Sequence, residues 1–580
     1  MNIFAEIRGA IGSAIEQLAG QSVIPDGIDL SRMNVERPRD ATHGEISTNA
    51  AMILAKPARR PPRVLAEALA DVLSGDERVA RVSVAGPGFL NLVLRPEEWL
   101  RAVRSALQLG MDYGRNTDGR NRRVNLEFVS ANPTGPLHLG HGRGAVFGDA
   151  LGRLLEYTGH DVTREYYVND AGSQVDILAR SAYLRYLEDA GLDTDFGPES
   201  YRGDYLIEVG KSLHEAYGDR LLNTPESRWL PEVRDFAIKR MLRLIKSDLK
   251  LLGIRMDRYF HESSLAQDGR IDQALKALRE RGLVYRGKLP PPKGRRSVDW
   301  EPRRQTLFRS TAHGDDVDRP IRKSDGSWTY FAPDIAYHHD KIARGYDVLI
   351  NVFGADHGGY VQRLRAVVSA LSDGKAHFDI KLIQLVNVVQ RDERLKMSKR
   401  AGNFVQLQEA VEAVGADVLR FVMLMRRNDA PLDFDFEEVV EKTKDNPVFY
   451  VQYAHARTCS VLGRAEAAGF RTCDANLAEV DLGELRHASQ IAFARRISEW
   501  PRVVEVAARH HEPHRIVFYL TDLARDFHAM WARGNREPEL RILDESDVPG
   551  TLARLALARA SAVVIATGLE ILGIAALEEM

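Results

Sequence analysis

The segment that most constrains the fold is a strand, a turn, a helix and a second strand in immediate succession. An apolar run at 124–130 leads into Asn-Pro-Thr-Gly-Pro at 132–136, an amphipathic pattern runs to about Gly159, and a second strand-like run covers 161–168. Parallel strands joined by a crossover helix form a βαβ unit. The pattern therefore predicts a doubly wound, Rossmann-type parallel sheet, whose ligands bind at the carboxyl ends of its strands.

The helix of this unit begins with His138-Leu139-Gly140-His141. Free backbone N–H groups and the positive end of the dipole make a helix N-terminus favourable for anions. The two histidines are three residues apart, so both imidazoles can project toward one phosphate, and Gly140 lets a nucleotide approach the backbone. A His-x-x-His pair also occurs by chance on surfaces and in cores, so this motif alone does not establish a nucleotide site.

A second motif, Lys396-Met397-Ser398-Lys399-Arg400, precedes Gly402 and has the composition of a mobile cationic loop. Ammonium groups that meet the charge growing on a leaving pyrophosphate lower the barrier more than they tighten ground-state binding. Lysine-rich tetrads are usually only solvated. The two motifs gain weight from their order along the chain and from their surroundings.

With those surroundings, SANPTGPLHLGHGRG and RLKMSKRAG resemble the two signatures of the class I aminoacyl-tRNA synthetases. The chain is most similar to the arginyl-tRNA synthetases, and the further matching segments are STNAAM, PGFLN and DNPVFYVQYAHAR. The resemblance implies an arginine–tRNA ligase, which activates L-arginine with ATP to arginyl-adenylate and transfers it to the 3′-terminal ribose of tRNA(Arg).

The resemblance also implies roles for the signature residues. The catalytic residues that stabilise phosphate charge are expected to be His138, His141, Lys396 and Lys399. The expected ATP-binding residues are His138, Gly140, His141, Asp356, His357, Lys396, Met397 and Lys399. Asp356 and His357 follow an apolar strand and would contact the amino acid or the ribose, but a buried structural role for His357 stays open. ATP is the substrate, Mg²⁺ is expected with it, and no structural metal is predicted.

The second signature contains an internal check. Some arginyl enzymes lack its second lysine and carry a compensating lysine just before the first motif, whereas this chain has Lys399 and, at the earlier place, Gly135. One cation near the phosphates is needed, and either position can supply it. Arg400 replaces the serine of the commonest class I form, with little consequence expected for catalysis.

An arginine pocket needs acids, because the guanidinium is a planar fork of donors that always carries charge. Carboxylates placed for paired hydrogen bonds and an aromatic wall would distinguish it from lysine. Glu127, Asp334 and Tyr330 could supply those parts, and the resemblance makes the same assignment. It aligns Ser130 and Asn132 with the α-amino end of the substrate. The alternative for Glu127 is an edge-strand acid paired with a surface base.

The length of 580 residues predicts about three to four domains. We expect an α+β N-terminal module over 1–115, a catalytic domain over 116–172 and 253–415, a helical insertion over 173–252, and an all-α domain over 416–580. The resemblance assigns the N-terminal module to the D-loop of tRNA and the C-terminal domain to the anticodon.

The expected tRNA-binding residues lie in these outer domains, at Phe89, Asn91, Tyr450, Tyr453 and Arg457. An aromatic face with an amide can stack on and hydrogen-bond an unpaired base. Other interpretations stay open: Phe89 as strand core, Asn91 as a turn cap, and the tyrosines as helix core. A Pro- and Arg-rich run at 285–304 is either a solvated connector or a contact for the acceptor end of RNA.

Bulk properties fit a soluble protein. The formal net charge of −2 gives no sign of a nucleic-acid partner by itself, and two cysteines fit a reducing, cytoplasmic environment. The apolar stretch at 561–577 contains Glu570 and is interpreted as a buried terminal helix, so no membrane partner is expected. The resemblance implies tRNA(Arg), L-arginine and ATP as partners, and the chain is expected to act as a monomer.

Two other functions stay open on the residues alone. A small-molecule nucleotidylyltransferase can share the His-x-Gly-His helix, but it would not need the helical C-terminal domain or the N-terminal module. A synthetase-like RNA-binding or regulatory protein has no reason to keep all four phosphate-facing side chains. Arginine-dependent exchange of pyrophosphate into ATP separates these possibilities.

Overall fold

The computed structural model describes residues 2–38, 40–289, 304–390, 393–394, 405–440 and 446–580. The predicted residues Lys396, Met397 and Lys399 lie outside the described residues, as does 290–303 of the Pro- and Arg-rich run.

The N-terminal module packs helices against an antiparallel sheet. The strands are β1 (Val35–Glu36), β2 (Ile46–Thr48), β3 (Val79–Ala85) and β4 (Phe89–Leu94). The helices are α1 (Ile3–Gly20), α2 (Ala50–Ala58), α3 (Pro62–Leu73) and α4 (Pro96–Leu109). The sheet order is β1-β2-β4-β3. The apolar face of α1, including Ile7 and Ile11, is buried, so the predicted α+β module is confirmed.

The βαβ unit predicted from the sequence is present. It consists of β5 (Arg123–Glu127), α5 (Leu139–Tyr157) and β6 (Asp161–Val168), and the two strands pair in parallel. A Cβ on Gly148 of α5 would overlap the ring of Phe128, so this glycine lets the helix lie close to the end of β5.

A helical insertion leaves the sheet after β6. Its helices are α6 (Ser173–Asp189), α7 (Tyr205–Tyr217) and α8 (Glu226–Leu251). They enclose a hydrophobic cluster of their own, which includes Tyr186, Leu206 and Met241. The insertion is therefore helical and has a hydrophobic cluster of its own, while one face of α8 also packs into the main core.

The chain returns to the sheet at β7 (Arg258–His261), which pairs in parallel with β6. It then forms α9 (Ser263–Gln267) and α10 (Arg270–Glu280), followed by the antiparallel strands β8 (Val284–Gly287), β9 (Gln305–Phe308) and β10 (Arg319–Arg322). This small antiparallel sheet lies within a range that was expected to be Rossmann-type throughout. The sequence did not predict it, because pairing between distant short strands leaves no periodic signal.

The parallel sheet is completed by elements after the small sheet. They are α11 (Phe331–Ala343), β11 (Val348–Gly354), α12 (Val361–Ser372) and β12 (His377–Ile383). Within the described residues the strand order is β12-β11-β5-β6-β7, and all of these pairings are parallel. The predicted doubly wound sheet is confirmed.

A fourth sheet follows β12. It contains β13 (Val386–Gln390), β14 (Glu393–Arg394) and β15 (Leu432–Asp435), and the neighbouring helices are α13 (Leu407–Val414), α14 (Ala416–Leu424) and α15 (Phe436–Val440). Because β15 pairs in parallel with β13, part of the range from 416 onward is not helical. That part belongs with the catalytic domain in space.

The C-terminal domain is helical in the residues described from 446 onward. Its helices are α16 (Pro447–Ala467), α17 (Asp474–Ala478), α18 (Ala488–Ser498), α19 (Trp500–His510), α20 (His514–Gly534) and α21 (Val548–Leu572). Among the described helices, α21 alone is long and apolar enough to cross a membrane, and 83% of its most apolar window is buried inside the protein. The interpretation as a buried helix is thus supported.

Candidate active site

The order in which the chain adds strands to the parallel sheet reverses between β5 and β11. From β5 the chain continues to β6 and β7 on one side, whereas β11 and β12 lie on the other side. Asn351 of β11 lies opposite Glu127 of β5. Doubly wound sheets bind ligands in the crevice at such a reversal of strand order, so the site is expected at the carboxyl end of these two strands.

The first signature forms the start of α5. The ring of His138 accepts a hydrogen bond from the backbone N–H of His141 at 3.3 Å, and the ring of His141 accepts one from the N–H of His138 at 3.4 Å. The two rings stack with centroids 3.6 Å apart. A Cβ on Gly140 would lie 3.1 Å from the His138 ring. Both imidazoles therefore lie together at a helix N-terminus.

The chain that follows the second signature runs beside the first. The N–H of Leu139 donates to the carbonyl of Val405 at 3.1 Å, and the N–H of Leu407 donates to the carbonyl of Leu137 at 2.8 Å. His138 and Gln406 form an isolated antiparallel bridge. The two distant motifs are thus connected through the residues that border them.

Arg143 secures the other border of the second signature. Its buried guanidinium donates to the carbonyls of Gln384 at 2.9 Å, Ala430 at 2.8 Å and Arg427 at 2.9 Å. Burial lowers its pKa to about 10, so it remains a cation at neutral pH. These carbonyls precede β13 and β15, and Arg143 therefore fixes that sheet to the helix of the first signature.

Glu127 is buried at the end of a central strand. One carboxylate oxygen accepts from the ammonium of Lys341 at 2.6 Å, and the other accepts from the hydroxyl of Ser130 at 3.2 Å. Lys341 is fully buried and also donates to Asn351. The partner of Glu127 is therefore a buried base, unlike the surface pair considered from the sequence, and one of its oxygens is already committed to a cation.

Asp334 lies in the first turn of α11, where the charges of Glu262 and Glu127 act on its carboxyl group. Burial raises its pKa to about 7, with added contributions from the negative charges of Glu262 and Glu127, while Arg363 opposes the shift. Burial also raises the pKa of Glu262. Within the described part of the chain, neither Asp334 nor Glu262 forms an ion pair. Two neighbouring acids that form no ion pair within the described residues are suited to a cationic ligand.

Two further residues of this pocket escaped the sequence analysis. Glu262 directly follows β7, and burial together with the charge of Glu262 raises the pKa of the phenol of Tyr167 on β6. The usable signal was the position of Glu262 at the carboxyl end of a strand. Tyr330 precedes Asp334 by one helical turn and is 84% exposed, so its ring is accessible to a ligand.

The turn after β5 contains backbone strain. Val129 has a φ of +68° and Ser130 a φ of +41°, in the left-handed region that a β-branched residue rarely adopts. Such residues cost about 1–3 kcal/mol each and occur at functional sites. The conformation directs the Ser130 hydroxyl to Glu127 and to the N–H of Tyr167 at 3.0 Å. Asn132 lies farther along this turn and donates to Gln174 at 2.7 Å.

Asp356 and His357 follow β11 at the same edge of the sheet. Their side chains are 81% and 54% exposed and lie 3.6 Å apart. The alternative of a buried structural histidine at 357 is therefore wrong. Both side chains can reach a ligand that lies across the carboxyl ends of the strands.

The predicted RNA-facing residues differ in accessibility. Phe89 is 40% exposed at the start of β4, whereas Asn91 is 5% exposed within that strand. On α16, Tyr453 is 40% exposed. Phe89 is thus not a core residue, and Asn91 is not a turn cap.

The tyrosines of α16 belong to a larger aromatic surface. The guanidinium of Arg457 lies 4.4 Å from the ring centroid of Tyr453 and 5.1 Å from that of Trp531, and Tyr450 and Tyr453 both contact His528. Trp531 and His528 of α20 were missed because helix-to-helix neighbours carry no local signal. Stacked rings beside a cation suit unpaired bases.

Comparison with family models gives matches in each large region. Residues 5–94 match the arginyl tRNA synthetase N terminal domain, 102–195 the catalytic domain of the class I (R) tRNA synthetases, and 451–580 the DALR anticodon binding domain.

Full-length relatives and a solved structure agree with these matches. The arginine–tRNA ligases of Ruegeria pomeroyi and Paracoccus denitrificans are each 58% identical over 580 residues, covering 100% of both chains. The arginyl-tRNA synthetase of Thermus thermophilus superposes with a TM-score of 0.72 and 23% identity, covering 100% of each chain. At that identity the structural match supports the fold alone.

Proposed function

The chain belongs to the arginyl-tRNA synthetases of class I, and we propose how its residues divide the work of that activity. The protein is an aminoacyl-tRNA ligase that joins arginine to tRNA with ATP as substrate. The identity to arginine–tRNA ligases extends over the full length and includes both outer domains, so it argues against a nucleotidylyltransferase and against a non-enzymatic protein. The observation that carries the residue assignment is a pair of neighbouring acids that form no ion pair within the described residues. They are Asp334 in the first turn of α11 and Glu262 directly after β7, and the charge of Glu262 adds to the rise in the pKa of Asp334.

We propose that the guanidinium of arginine binds between Asp334 and Glu262, with Tyr330 against its face. Two carboxylates can accept paired, charge-assisted hydrogen bonds from the planar fork. Glu127 adds negative charge but shares its carboxylate with Lys341. Ser130 and Asn132, in the turn toward α5, then face the α-amino end, which brings the substrate carboxylate toward the phosphates.

In the first step an oxygen of the arginine carboxylate attacks the α-phosphorus of ATP, and the bond to the bridging oxygen of pyrophosphate breaks. His138, Gly140 and His141 are proposed to hold the phosphates at the start of α5, where N–H groups already favour anions. Asp356 and His357 would contact the ribose or the amino acid. Lys396, Met397 and Lys399 complete the set and are assigned from the sequence motif.

Mg²⁺ is proposed to enter with ATP and to neutralise phosphate charge. The described residues contain no group of three or more His, Cys, Asp or Glu side chains that could hold a metal ion.

In the second step the terminal 2′-hydroxyl of tRNA attacks the adenylate carbonyl and AMP leaves, so no covalent enzyme intermediate is needed. Residues 1–115 are proposed to contact the D-loop through the exposed Phe89. Asn91 is buried in β4, so its side chain would contact RNA only after a local change in the structure of the strand. Tyr450, Tyr453 and Arg457 are proposed to meet anticodon bases. We also propose that the chain acts as a cytoplasmic monomer, which sedimentation at working concentration would test.

The decisive experiment is arginine-dependent exchange of labelled pyrophosphate into ATP, measured with and without tRNA(Arg). Exchange with arginine, and none with lysine at the same concentration, would support the acidic pocket. Exchange driven by another amino acid would overturn the pocket assignment. Exchange that needs tRNA would support coupling between RNA binding and activation.

A further inference from the structure

The turn between β5 and α5 determines where His138 lies, because it leads directly into the helix start. The helical insertion reaches this turn with one hydrogen bond from each of its helices. These bonds are Asn132 to Gln174 of α6 at 2.7 Å, Tyr205 of α7 to the carbonyl of Thr134 at 2.7 Å, and the N–H of Leu137 to Asp248 of α8 at 2.8 Å. The phosphate-facing helix start is therefore fixed by the insertion as well as by the sheet.

Two glycines pack closely against the ring of Tyr205. A Cβ on Gly135 would lie 3.0 Å from the ring and hydroxyl of Tyr205, and a Cβ on Gly203 would overlap the same ring. A side chain at either position would crowd the ring, whose hydroxyl donates to the carbonyl of Thr134. Burial raises the pKa of Tyr205, so the hydroxyl remains a donor at any working pH.

Asp248 holds the last residue before the histidine. Its side chain is 5% exposed, and Leu137 is fully buried. A hydrogen bond from a backbone N–H to a buried carboxylate is charge-assisted and stronger than a neutral one. It fixes the N–H of Leu137, one residue before His138, while the carbonyl of Leu137 accepts from the N–H of Leu407 and the N–H of Leu139 donates to the carbonyl of Val405.

We propose that Tyr205 and Asp248 are positioning residues for adenylate formation, through which the insertion sets the location of the His138 imidazole and the first N–H groups of α5. The inference rests on the proposed function, since it concerns the same phosphate site. A catalytic group displaced by about 1 Å can lose a large part of its effect. Neither residue needs to touch a substrate to influence the rate.

The test compares two hydroxyl deletions in the same insertion. Tyr205→Phe removes the bond to the turn. Tyr186→Phe is the matched control, because the Tyr186 hydroxyl donates to the carbonyl of Gly218 at 2.6 Å, within the insertion. Arginine-dependent pyrophosphate exchange with saturating tRNA gives kcat and the KM values for ATP and arginine. Thermal unfolding reports stability in parallel.

Loss of one hydrogen bond from the turn is expected to lower kcat/KM for ATP about three- to tenfold in Tyr205→Phe, with the KM for arginine changed less than about twofold. Tyr186→Phe should keep its kinetic constants within about twofold, even if its melting temperature falls by as much as that of Tyr205→Phe. Equal kinetic constants in the two variants, in folded protein, would overturn the proposal for Tyr205.

Asp248 is tested by rescue. Asp248→Ala leaves the buried N–H of Leu137 without an acceptor and should lower kcat/KM for ATP more than about tenfold, whereas Asp248→Asn keeps an acceptor oxygen and should recover most of that loss. The same loss in both variants would contradict positioning through this bond. Wild-type protein without exchange would instead refute the proposed function and this inference with it.

Discussion

Acidic side chains in and beside the parallel sheet differ in whether a cation is paired with them. Glu165 of β6 is fully buried and receives two hydrogen bonds from Arg344, at 2.5 and 2.9 Å, and one from Tyr337 at 2.7 Å. Asp334 and Glu262, at the carboxyl edge, have no ion pair among the described residues. One set is completed by folding, and the other is left to be completed by a ligand.

The pKa values show the same contrast. Burial alone would raise the pKa of Glu165, but the Arg344 guanidinium holds it below its usual value. Burial raises the pKa of Asp334 to about 7, and neighbouring acids add to the shift. Glu165, which is paired with Arg344, therefore supports the fold, while Asp334, which forms no ion pair within the described residues, is available to a ligand.

The largest effect is expected from Asp334→Asn, which removes the charge and keeps the shape. Loss of a charged partner in a desolvated pocket should lower kcat/KM for arginine about 10³-fold, or ~4 kcal/mol, with the KM for ATP changed less than about threefold. Steady-state pyrophosphate exchange over both substrates measures this. Equal loss for arginine and ATP would show that Asp334 supports the fold instead.

Removing the cation from the completed set should act on stability. Arg344→Gln leaves Glu165 buried with its main partner gone and should lower the free energy of unfolding by about 3 kcal/mol. Urea unfolding measures the loss, and the KM for arginine of the folded protein should stay within about twofold. Arg63→Gln is the control, because its pair with Glu67 is exposed and should contribute less than about 0.5 kcal/mol. Unchanged stability in Arg344→Gln would break the comparison.

The contrast explains which parts of the site the sequence could predict. His138 and His141 could be predicted from a local motif, and Asp334 from the chemistry that a guanidinium requires together with the family resemblance. The cation of Glu127 was not, since Lys341 on an amphipathic helix has the pattern of a solvated lysine and meets its acid only through the tertiary fold. Glu262 was missed for the same reason, because an acid after a strand is common and its neighbour Asp334 is distant in sequence.

The fold shows the same division. The βαβ unit is encoded by local hydrophobic periodicity, so its elements were predicted correctly. The pairing of β13 with β15 and the sheet formed by β8, β9 and β10 depend on contacts between segments far apart in the chain. Short strands of four or five residues carry too little pattern to reveal such partners.

A smaller effect should appear in the pH dependence of arginine binding. Burial raises the pKa of Asp334 to about 7, and the guanidinium requires the ionised carboxylate. The KM for arginine should therefore rise about tenfold for each pH unit below about 7 and level off above it. The KM for ATP serves as the internal control. An arginine KM that stays flat from pH 5.5 to 8, values chosen as roughly the accessible range, would contradict a raised pKa at Asp334.

The smallest effect sharpens the comparison through stability without ligand. Because the folded pKa of Asp334, about 7, exceeds its ordinary value of 3.8, its contribution to stability is full below that ordinary value and is lost as the pH rises through about 7. Asp334→Asn carries no charge and should exceed wild type by about 1 kcal/mol at pH 8, a reduced figure because the carboxyl is partly accessible to solvent. Melting temperatures at pH 5 and pH 8 would measure this, roughly bracketing the transition.

Glu165→Gln is the matched control for that measurement and should change stability in the other direction. The pKa of Glu165 is lowered in the folded protein, so its contribution is present at pH 8 and is lost only as the pH falls through the folded value. Neutralising Glu165 should therefore destabilise the protein at pH 8, while neutralising Asp334 stabilises it. A change of the same sign in both variants would mean that the two acids are equally well paired, and the distinction between structural and ligand-binding carboxylates would fail.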